Sequence, residues 1–270
     1  FSQKHNINLT GGSEHARVFA SLSYLNDGDI LKTEKQPLYD PAYKYQRYNY
    51  RTNIDFDITP STILSLTAGG YIGIKNQPNE TQSIRTYRPI FMLGPMTIPY
   101  KYSADVLDLY PDPAHPDETG ERLSNTGILN ANNPYNAINY SGFRQTKYTG
   151  LMTTLGLDQK LDFITKGLSV QGKIAYNHDE AYLKTYNYDA ISYLLLPNGT
   201  WDRYRGRDNL DQEEPSLPIS PGTEDFSSAP FKSWYYEASV RYARQFNDHN
   251  VTGLFLGNRR QSQNDVDFPH

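Results

Sequence analysis

The sequence predicts an all-β protein built from long antiparallel hairpins. The clearest pattern lies in 46–74, QRYNYRTNIDFDITPSTILSLTAGGYIGI, where apolar and polar residues alternate along two arms on either side of Thr59-Pro60-Ser61. Alternation with a period of two is typical of a strand with one apolar face, and a proline between the arms interrupts the hydrogen-bonded ladder. Each arm has about a dozen residues, whereas strands of soluble proteins have roughly five or six.

Three further hairpins follow from the same pattern. They pair 5–10 with 17–24, 148–161 with 168–176, and 233–246 with 250–258, each across a short turn. Together with 46–74 they predict about eight strands. In the last arm Leu254, Phe255 and Leu256 are consecutive, so alternation does not assign this arm a face.

The connections between the predicted strands alternate between short and long. The long ones cover about 26–46, 75–146 and 177–232, and their prolines exclude interior strands. A soluble sandwich has no reason to keep every second loop short, whereas an outer-membrane barrel combines short periplasmic turns with long extracellular loops. The order of the loops therefore favours the wall of an antiparallel transmembrane β-barrel.

Composition excludes several classes of protein. A mean hydropathy of -0.71 with 37% hydrophobic residues excludes a helical membrane protein, but not a barrel, because only every second residue of a barrel strand faces lipid. The absence of Cys excludes disulfides and thiolate metal sites. A net charge of -4 argues against a nucleic-acid partner. The 23 Tyr residues suit strands and membrane interfaces.

Alternation assigns two sets of side chains to opposite faces of the wall. The residues predicted to face lipid are Ile54, Phe56, Ile58, Leu64, Leu66, Leu151, Leu155, Leu157, Val170 and Ile174. The residues predicted to face the lumen are Arg47, Arg51, Asp55 and Asp57. These four charges either line a conduit or pair across strands or with a plug, and pairing is the preferred alternative.

Aromatic residues mark the long-loop ends of the predicted strands. The six that fall there are Tyr24, Tyr48, Tyr50, Tyr176, Trp234 and Tyr236. Aromatic side chains concentrate at both interfaces of a membrane, where one end of the ring is apolar and the other is hydrated. The set therefore predicts an aromatic girdle on the side of the long loops.

One loop segment offers candidates for substrate contact. The residues are Trp201, Arg203, Tyr204 and Arg205. Aromatic faces next to guanidinium groups suit stacking on sugar rings or binding of a carboxylate. The alternative is a segment that packs against neighbouring loops.

An acidic segment within 105–121 has the ligand chemistry of calcium. Its residues are Asp105, Asp108, Asp112, Asp117, Glu118 and Glu121. Their spacing matches no EF-hand loop, and the prolines among them favour an exposed rigid segment instead. No His pair at i, i+4, no nucleophile elbow and no phosphate-binding glycine loop occurs in the sequence, so an enzyme is not predicted.

Three segments resemble the barrel of the SusC/RagA family of TonB-dependent transporters, found in the outer membranes of Bacteroidetes. They are HNINLTGGSEHARVFASLSYLNDGDIL, YQRYNYRTNIDFDITPSTILSLTAGG and NNPYNAINYSGFRQTKYTGLMTTLGLDQKLDFITKGLSVQGKIAYN. They follow the family's order over 5–177, whereas 178–270 match only in general character.

The resemblance implies that 1–270 is part of the barrel domain of a longer protein. Its barrel would have about 22 strands, with the plug and the TonB-contacting segment lying outside this sequence. A surface lipoprotein of the SusD type would capture oligosaccharides or peptides for nutrient uptake across the cell outer membrane, energised through TonB. Two alternatives remain open: a secreted soluble β protein that binds or hydrolyses glycans, and a structural outer-membrane or secretion component.

Overall fold

The computed structural model describes residues 1–29, 31–79, 97–127, 133–188, 190–205, 208–209 and 219–264. In chain order the strands are β1 Ser2–Gly12, β2 Ala16–Asp27, β3 Lys44–Thr59, β4 Thr62–Pro78, β5 Lys101–Tyr102, β6 Arg122–Leu123, β7 Gly142–Lys160, β8 Leu168–Tyr188, β9 Ile191–Leu195, β10 Trp201–Arg205, β11 Asp208–Asn209, β12 Ile219–Phe246 and β13 His249–Asn264. Two helices, α1 Ala104–Leu109 and α2 Pro134–Asn139, lie between β5 and β7.

The main element is an eight-stranded antiparallel sheet with the order β1-β2-β3-β4-β7-β8-β12-β13. Each strand pairs with the next of the sheet along the chain, so the whole sheet is a meander of hairpins. Two small sheets, β9-β10-β11 and β5-β6, belong to the connections. The predicted all-β class and the eight strands are confirmed. Neither of the described helices has the length and apolar character needed to cross a membrane.

The strands run further than alternation predicted on the side of the long connections. β4 continues to Pro78, β7 begins at Gly142, β8 continues to Tyr188 and β12 begins at Ile219. The prediction that prolines exclude strands is wrong for β12, because the β8–β12 ladder shifts register after Pro221 and again before Phe231. Such bulges absorb residues that cannot donate to the ladder.

The ladder register defines two faces, because residues directly opposite one another in antiparallel strands point to the same side. One row passes from Ile54 through Leu66 and Leu155 to Ile174. The same face carries Phe56, Leu64, Leu151, Leu157 and Val170. We call it the apolar face. Ile58, the remaining member of the predicted apolar set, lies in the register shift that ends β3.

The opposite face carries all four residues predicted to face a lumen, Arg47, Arg51, Asp55 and Asp57. We call it the polar face. The register also assigns the last strand. Phe255 pairs with Val240 on the apolar face, whereas Leu254 and Leu256 pair with Arg241 and Ser239 on the polar face.

Among the described residues, no second layer covers the apolar face. Phe56 is 46% exposed, Leu157 45% and Ile174 45%. Ile54 and Leu66 are half-buried by their neighbours in the sheet and are not enclosed. The buried aromatic residues Tyr102, Tyr193 and Trp201 lie in the connections instead. The sheet therefore presents a broad apolar surface that its own described side chains leave open.

The aromatic residues predicted to mark strand ends lie at two different depths. Tyr24 and Tyr48 pack with ring centroids 4.9 Å apart, near the ends of β2 and β3. Tyr176 and Trp234 pack at 4.6 Å, but β8 continues from Tyr176 to Tyr188 and β12 begins well before Trp234, at Ile219. Tyr176 and Trp234 therefore lie in the middle of β8 and β12 and not at their ends, because the β8–β12 ladder extends beyond the apolar residues.

The centre of the sheet depends on a close approach at Gly70. A Cβ there would lie 2.2 Å from the carbonyl oxygen of Gly150 and 2.7 Å from Oη of Tyr50. Tyr50 is the cross-strand partner of Gly70 on the apolar face, so its ring covers the space above the glycine. Any side chain at this position forces the backbone or the ring to move.

We expect Gly70→Ala to destabilise the sheet by about 1–3 kcal/mol, because it overpacks a strand against backbone. The matched control is Gly172→Ala in β8, where a Cβ would meet no heavy atom within 4 Å. Denaturant unfolding in detergent micelles, followed by circular dichroism, compares the two. Equal midpoints for both variants would contradict this account of Gly70.

Candidate functional site

The long connections fold together at one end of the sheet. We define the loop cluster as the described residues of 29–43, 97–141 and 190–205. The backbone N–H of Glu34 donates to Oδ1 of Asn139 at 2.7 Å, and the Tyr39 hydroxyl donates to the Asn139 carbonyl at 2.9 Å. The N–H of Asn125 donates to the carbonyl of Tyr193 at 2.7 Å. Asn139 is only 1% exposed, so it joins two connections through buried polar contacts.

A buried ion pair lies at the centre of the loop cluster. Arg122 is 3% exposed, and its Nη1 donates to Oδ2 of Asp112 at 2.7 Å. Its guanidinium also lies over the rings of Tyr193 and Trp201, at 4.3 and 5.0 Å from their centroids. The charge is therefore held between a carboxylate and two aromatic faces, which are the groups that stabilise a desolvated guanidinium.

The Asp112 carboxylate of this ion pair is held in its charged form. Burial by itself would raise the pKa of Asp112, but hydrogen bonds from Arg122 and His115 and the charges of both outweigh it, so the pKa lies below its usual value. Glu118 accepts hydrogen bonds from the Tyr193 hydroxyl and, at 3.0 Å, from Nη1 of Arg203. Burial, followed by the bond to Glu118, raises the pKa of Tyr193.

Two of the predicted substrate-contact residues, Trp201 and Arg203, pack within the loop cluster. Trp201 is 9% exposed, donates from Nε1 to the carbonyl of Tyr110 at 2.8 Å and packs edge-on against Tyr102. Its ring is part of the core of the loop cluster, so it is not free to stack on a sugar. Arg203 is bound by Glu118. Both Trp201 and Arg203 thus pack against neighbouring loops, which was the alternative to substrate contact.

The other two predicted contacts remain predictions. The Tyr204 hydroxyl donates to Asp202 at 3.3 Å, and the residue is half-buried. The side chain of Arg205 lies outside the described residues. Sequence reasoning selected this segment for its aromatic and cationic composition, and the same composition serves to close a small core.

The calcium candidates do not form a cluster. Asp105 and Asp108 lie in α1, whereas Asp112 is occupied by Arg122 and His115. Within the described parts of the chain, no group of three or more carboxylate or His side chains is placed to hold a metal ion. Three of the acids, Asp112, Glu118 and Glu121, instead pair with Arg122, Arg203 and Lys101, and Lys101 lies 3.4 Å from Glu121.

An open cavity of about 530 Å³ lies beside the ion pair. Its walls include Glu121, Arg122, Tyr140, Tyr188 and Tyr193. The cavity combines tyrosine rings with carboxylate and hydroxyl groups, which suits the weakly amphipathic surface of a sugar or a peptide backbone. No periodic pattern in the sequence marks this cavity, because its residues come from three separate segments. The only hint was the concentration of tyrosines between 135 and 193.

Some of the charges of the polar face are paired, whereas the Arg51 guanidinium has, among the described residues, only Asn53 as a hydrogen-bond partner. Arg17 lies 3.7 Å from Asp55 and 3.5 Å from Asp57. The Arg47 guanidinium lies 4.1 Å from the centroid of the Tyr71 ring, and the Tyr71 hydroxyl donates to Asp179 at 3.2 Å. These groups are exposed or half-buried, so they satisfy one another while remaining accessible to water. The pairing predicted as the alternative to free conduit charges is present across strands.

The polar face also depends on a missing side chain. A Cβ at Gly150 would lie 2.3 Å from the Tyr71 ring and 2.8 Å from a carboxylate oxygen of Asp179. Gly150 is the cross-strand partner of both residues. The glycine therefore leaves room for the ring to cross a whole strand and reach Asp179.

We expect Arg122→Met to destabilise the loop cluster by about 3–5 kcal/mol, because it leaves the Asp112 carboxylate buried without its partner. Hydrogen exchange should increase at the amides of Tyr193 and Asn125 and stay unchanged in β3 and β4. The matched control is Arg17→Met. The Arg17 side chain is 59% exposed, and breaking an exposed pair costs about 1 kcal/mol or less. Similar effects of the two variants would contradict a central role for Arg122.

Comparison with known proteins finds likeness in solved structures alone. No family model matches the sequence, and no curated protein matches it. A chain of the RagAB peptide transporter superposes with a TM-score of 0.45 at 11% identity, over 97% of this chain and 32% of that one. Chains of the RagAB peptide importer in its open-open and closed-closed states give TM-scores of 0.30 at 13% identity, over 97% of this chain and 31% and 32% of theirs. The chain thus spans about a third of the length of these transporter chains.

Proposed function

We propose that this chain is part of the wall of an outer-membrane β-barrel that imports hydrophilic solutes, oligosaccharides or peptides. The observation that carries the proposal is the uncovered apolar face of the eight-stranded sheet. Soluble monomers rarely expose contiguous apolar patches larger than a few hundred Å². In a membrane, lipid hydrocarbon would cover the apolar face that the described residues leave open. The hydrogen-bonded ladder would satisfy the backbone N–H and C=O groups there.

The height of the apolar face fits a bilayer. Tyr48 and Ile58 lie ten residues apart in β3. This distance is about 33 Å along the strand, and about 25 Å in height for a strand tilted by roughly 40°. The apolar band of an outer-membrane barrel is about 25 Å tall. One hairpin arm therefore reaches from the aromatic residues to the short turn across the full band.

The tilt is supported by the depths of the two aromatic groups. The ladder row of Tyr48 passes through Ile72 and Thr149 to Glu180 in β8, four residues beyond Tyr176. With strands about 4.8 Å apart and tilted by roughly 40°, staying at one height requires a shift of about 4 Å along each next strand. Three such steps amount to about four residues. Tyr48 and Tyr176 therefore belong to one level girdle in a tilted wall.

The edges of the sheet favour a wall that is larger than the chain. Among the described residues, β1 and β13 each pair on one side only. An unpaired strand edge is not stable in hydrocarbon, so further strands must complete the ladder. A closed barrel of only eight strands has an interior filled by side chains, whereas the polar face here carries accessible ion pairs such as Arg17–Asp55. A wide, hydrated lumen suits these groups better.

The remaining parts of the proposal follow the resemblance to SusC/RagA transporters. A lipoprotein lid of the SusD type would rest on the loop cluster, and solute would be passed along the polar face. Energy would reach the barrel through TonB and a plug outside this sequence. The mechanism involves no covalent chemistry by the residues described here, and the location is the cell outer membrane.

Spin labels test the placement in the membrane. This chain has no Cys of its own, and any Cys in the rest of the polypeptide is replaced by Ser so that each label is site-specific. We expect labels on single cysteines at Leu64, Leu66 and Ala68 to be relaxed by oxygen dissolved in lipid, and labels at Ser65 and Thr67 to be relaxed by a water-soluble nickel complex. The protein is reconstituted in liposomes as the full polypeptide that carries this chain. Labels at Leu64 and Leu66 that are shielded from both reagents would indicate a soluble sandwich and overturn the proposal.

Uptake tests the transport step. In cells, Asn53→Cys on the polar face is coupled to a bulky maleimide, and uptake of fluorescent oligosaccharides and peptides is measured. We expect uptake to fall, because the adduct obstructs the lumen. Ile54→Cys, the next residue on the opposite face, is the matched control and should keep its uptake. Unchanged uptake with the Asn53 adduct would contradict the transport role and favour a purely structural barrel.

A further inference from the structure

A groove of about 730 Å³ crosses the apolar face where β7, β8, β12 and β13 meet. Its floor follows one ladder row, in which Leu157 pairs with Gly172, Gly172 with Ala238 and Ala238 with Gly257. A Cβ at Gly172 or at Gly257 would meet no heavy atom within 4 Å. The groove therefore exists because this row lacks side chains, and the glycines are not required there by a close neighbour.

Arg259 lies at the rim of this groove and is out of place on an apolar face. It pairs in register with Tyr236 and lines the groove with it. Its side chain is exposed, and among the described residues it has no hydrogen-bond or ion-pair partner. A cation on a lipid-facing surface is costly unless an anion or the headgroup region receives it.

The height of Arg259 identifies the region of the bilayer that it meets. Arg259 lies ten residues after His249, the first residue of β13 at the short turn. At a tilt of roughly 40° this is about 25 Å above the turn, the level of Tyr236 and Trp234 in the proposed girdle. The groove below it spans the hydrocarbon of the half of the membrane that is nearer to the long loops.

We infer, on the basis of the proposed function, that the groove binds an acyl chain of a phosphorylated glycolipid of the outer leaflet, with Arg259 binding the phosphate. A guanidinium group binds a phosphate through two parallel hydrogen bonds. The glycines let the chain lie against the backbone, and Leu157 and Tyr236 form its sides. The lipid thereby fills a gap in the wall above Gly172 and Ala238, which lies away from the side of β13 where a further strand is proposed to pair.

The test measures which lipid stays on the protein. The full polypeptide that carries this chain is purified from outer membranes and exchanged into micelles containing lipid A with one phosphate, or the same lipid after removal of that phosphate. Native mass spectrometry then counts bound lipid. The wild type should prefer the phosphorylated lipid. Arg259→Gln should reduce this preference about tenfold or more, as expected for a lost charge-assisted bond. Gly257→Leu should abolish binding of both lipids.

Two matched controls keep the result specific. Gly253→Leu places the same side chain on the same face of β13, in open space outside the groove. Arg260→Gln removes the neighbouring charge, which lies on the polar face. Both should bind lipid as the wild type does. If Gly257→Leu and Arg259→Gln also do so, or if Gly257→Leu alters the oligomeric state in place of lipid binding, the inference is overturned.

The spin labels at Leu64 and Ser65 separate this result from the proposed function. If those labels report lipid and water as expected but lipid binding is not selective, the lipid site in the groove is rejected and the proposed barrel wall is kept. If the labels place the sheet in water, the wall and the lipid site fall together.

Discussion

In the part of the chain that the structure describes, nothing covers the apolar face of the sheet, and this constraint organises the rest of the molecule. Ile54, Leu66, Leu155 and Ile174 form one row across neighbouring strands, and the register keeps every charge of 46–74 on the other side. A shift of one residue would move all of those charges onto the apolar face. The hydrophobic pattern, the register and the proposed environment therefore depend on one another.

The sheet and the loop cluster are stabilised by different interactions. In the sheet it comes from the continuous ladder and from lateral packing of side chains that stay partly exposed. In the loop cluster it comes from a small core around Trp201 and from the buried pair Arg122–Asp112. A buried ion pair is a weak source of net stability, but it tolerates few alternative arrangements. Because Arg122 contacts Asp112, Tyr193 and Trp201 at once, it holds these segments of the loop cluster in one arrangement.

Sequence reasoning succeeded where structure depends on local alternation. The two faces of β3 and β4, the turn at Pro60-Ser61 and the number of strands all follow from a period of two. It left alternatives open where contacts come from distant segments. Trp201 looked like a ligand-binding residue, yet Tyr110 and Arg122 occupy it. Asp112, Glu118 and Glu121 were among the candidate metal ligands, yet they pair with Arg122, Arg203 and Lys101. The ends of β8 and β12 were missed because their ladder continues past the alternating residues.

The sequence by itself determined which side chains share a face, because the geometry of an extended chain sends successive residues to opposite sides. Only the tertiary structure decided what those faces meet. Leu254 and Leu256 were placed on the polar face by the pairing of β13 with β12, and the gap above Gly172 and Gly257 exists because three strands bring small residues into one row. Such choices depend on register between strands, which no single strand encodes.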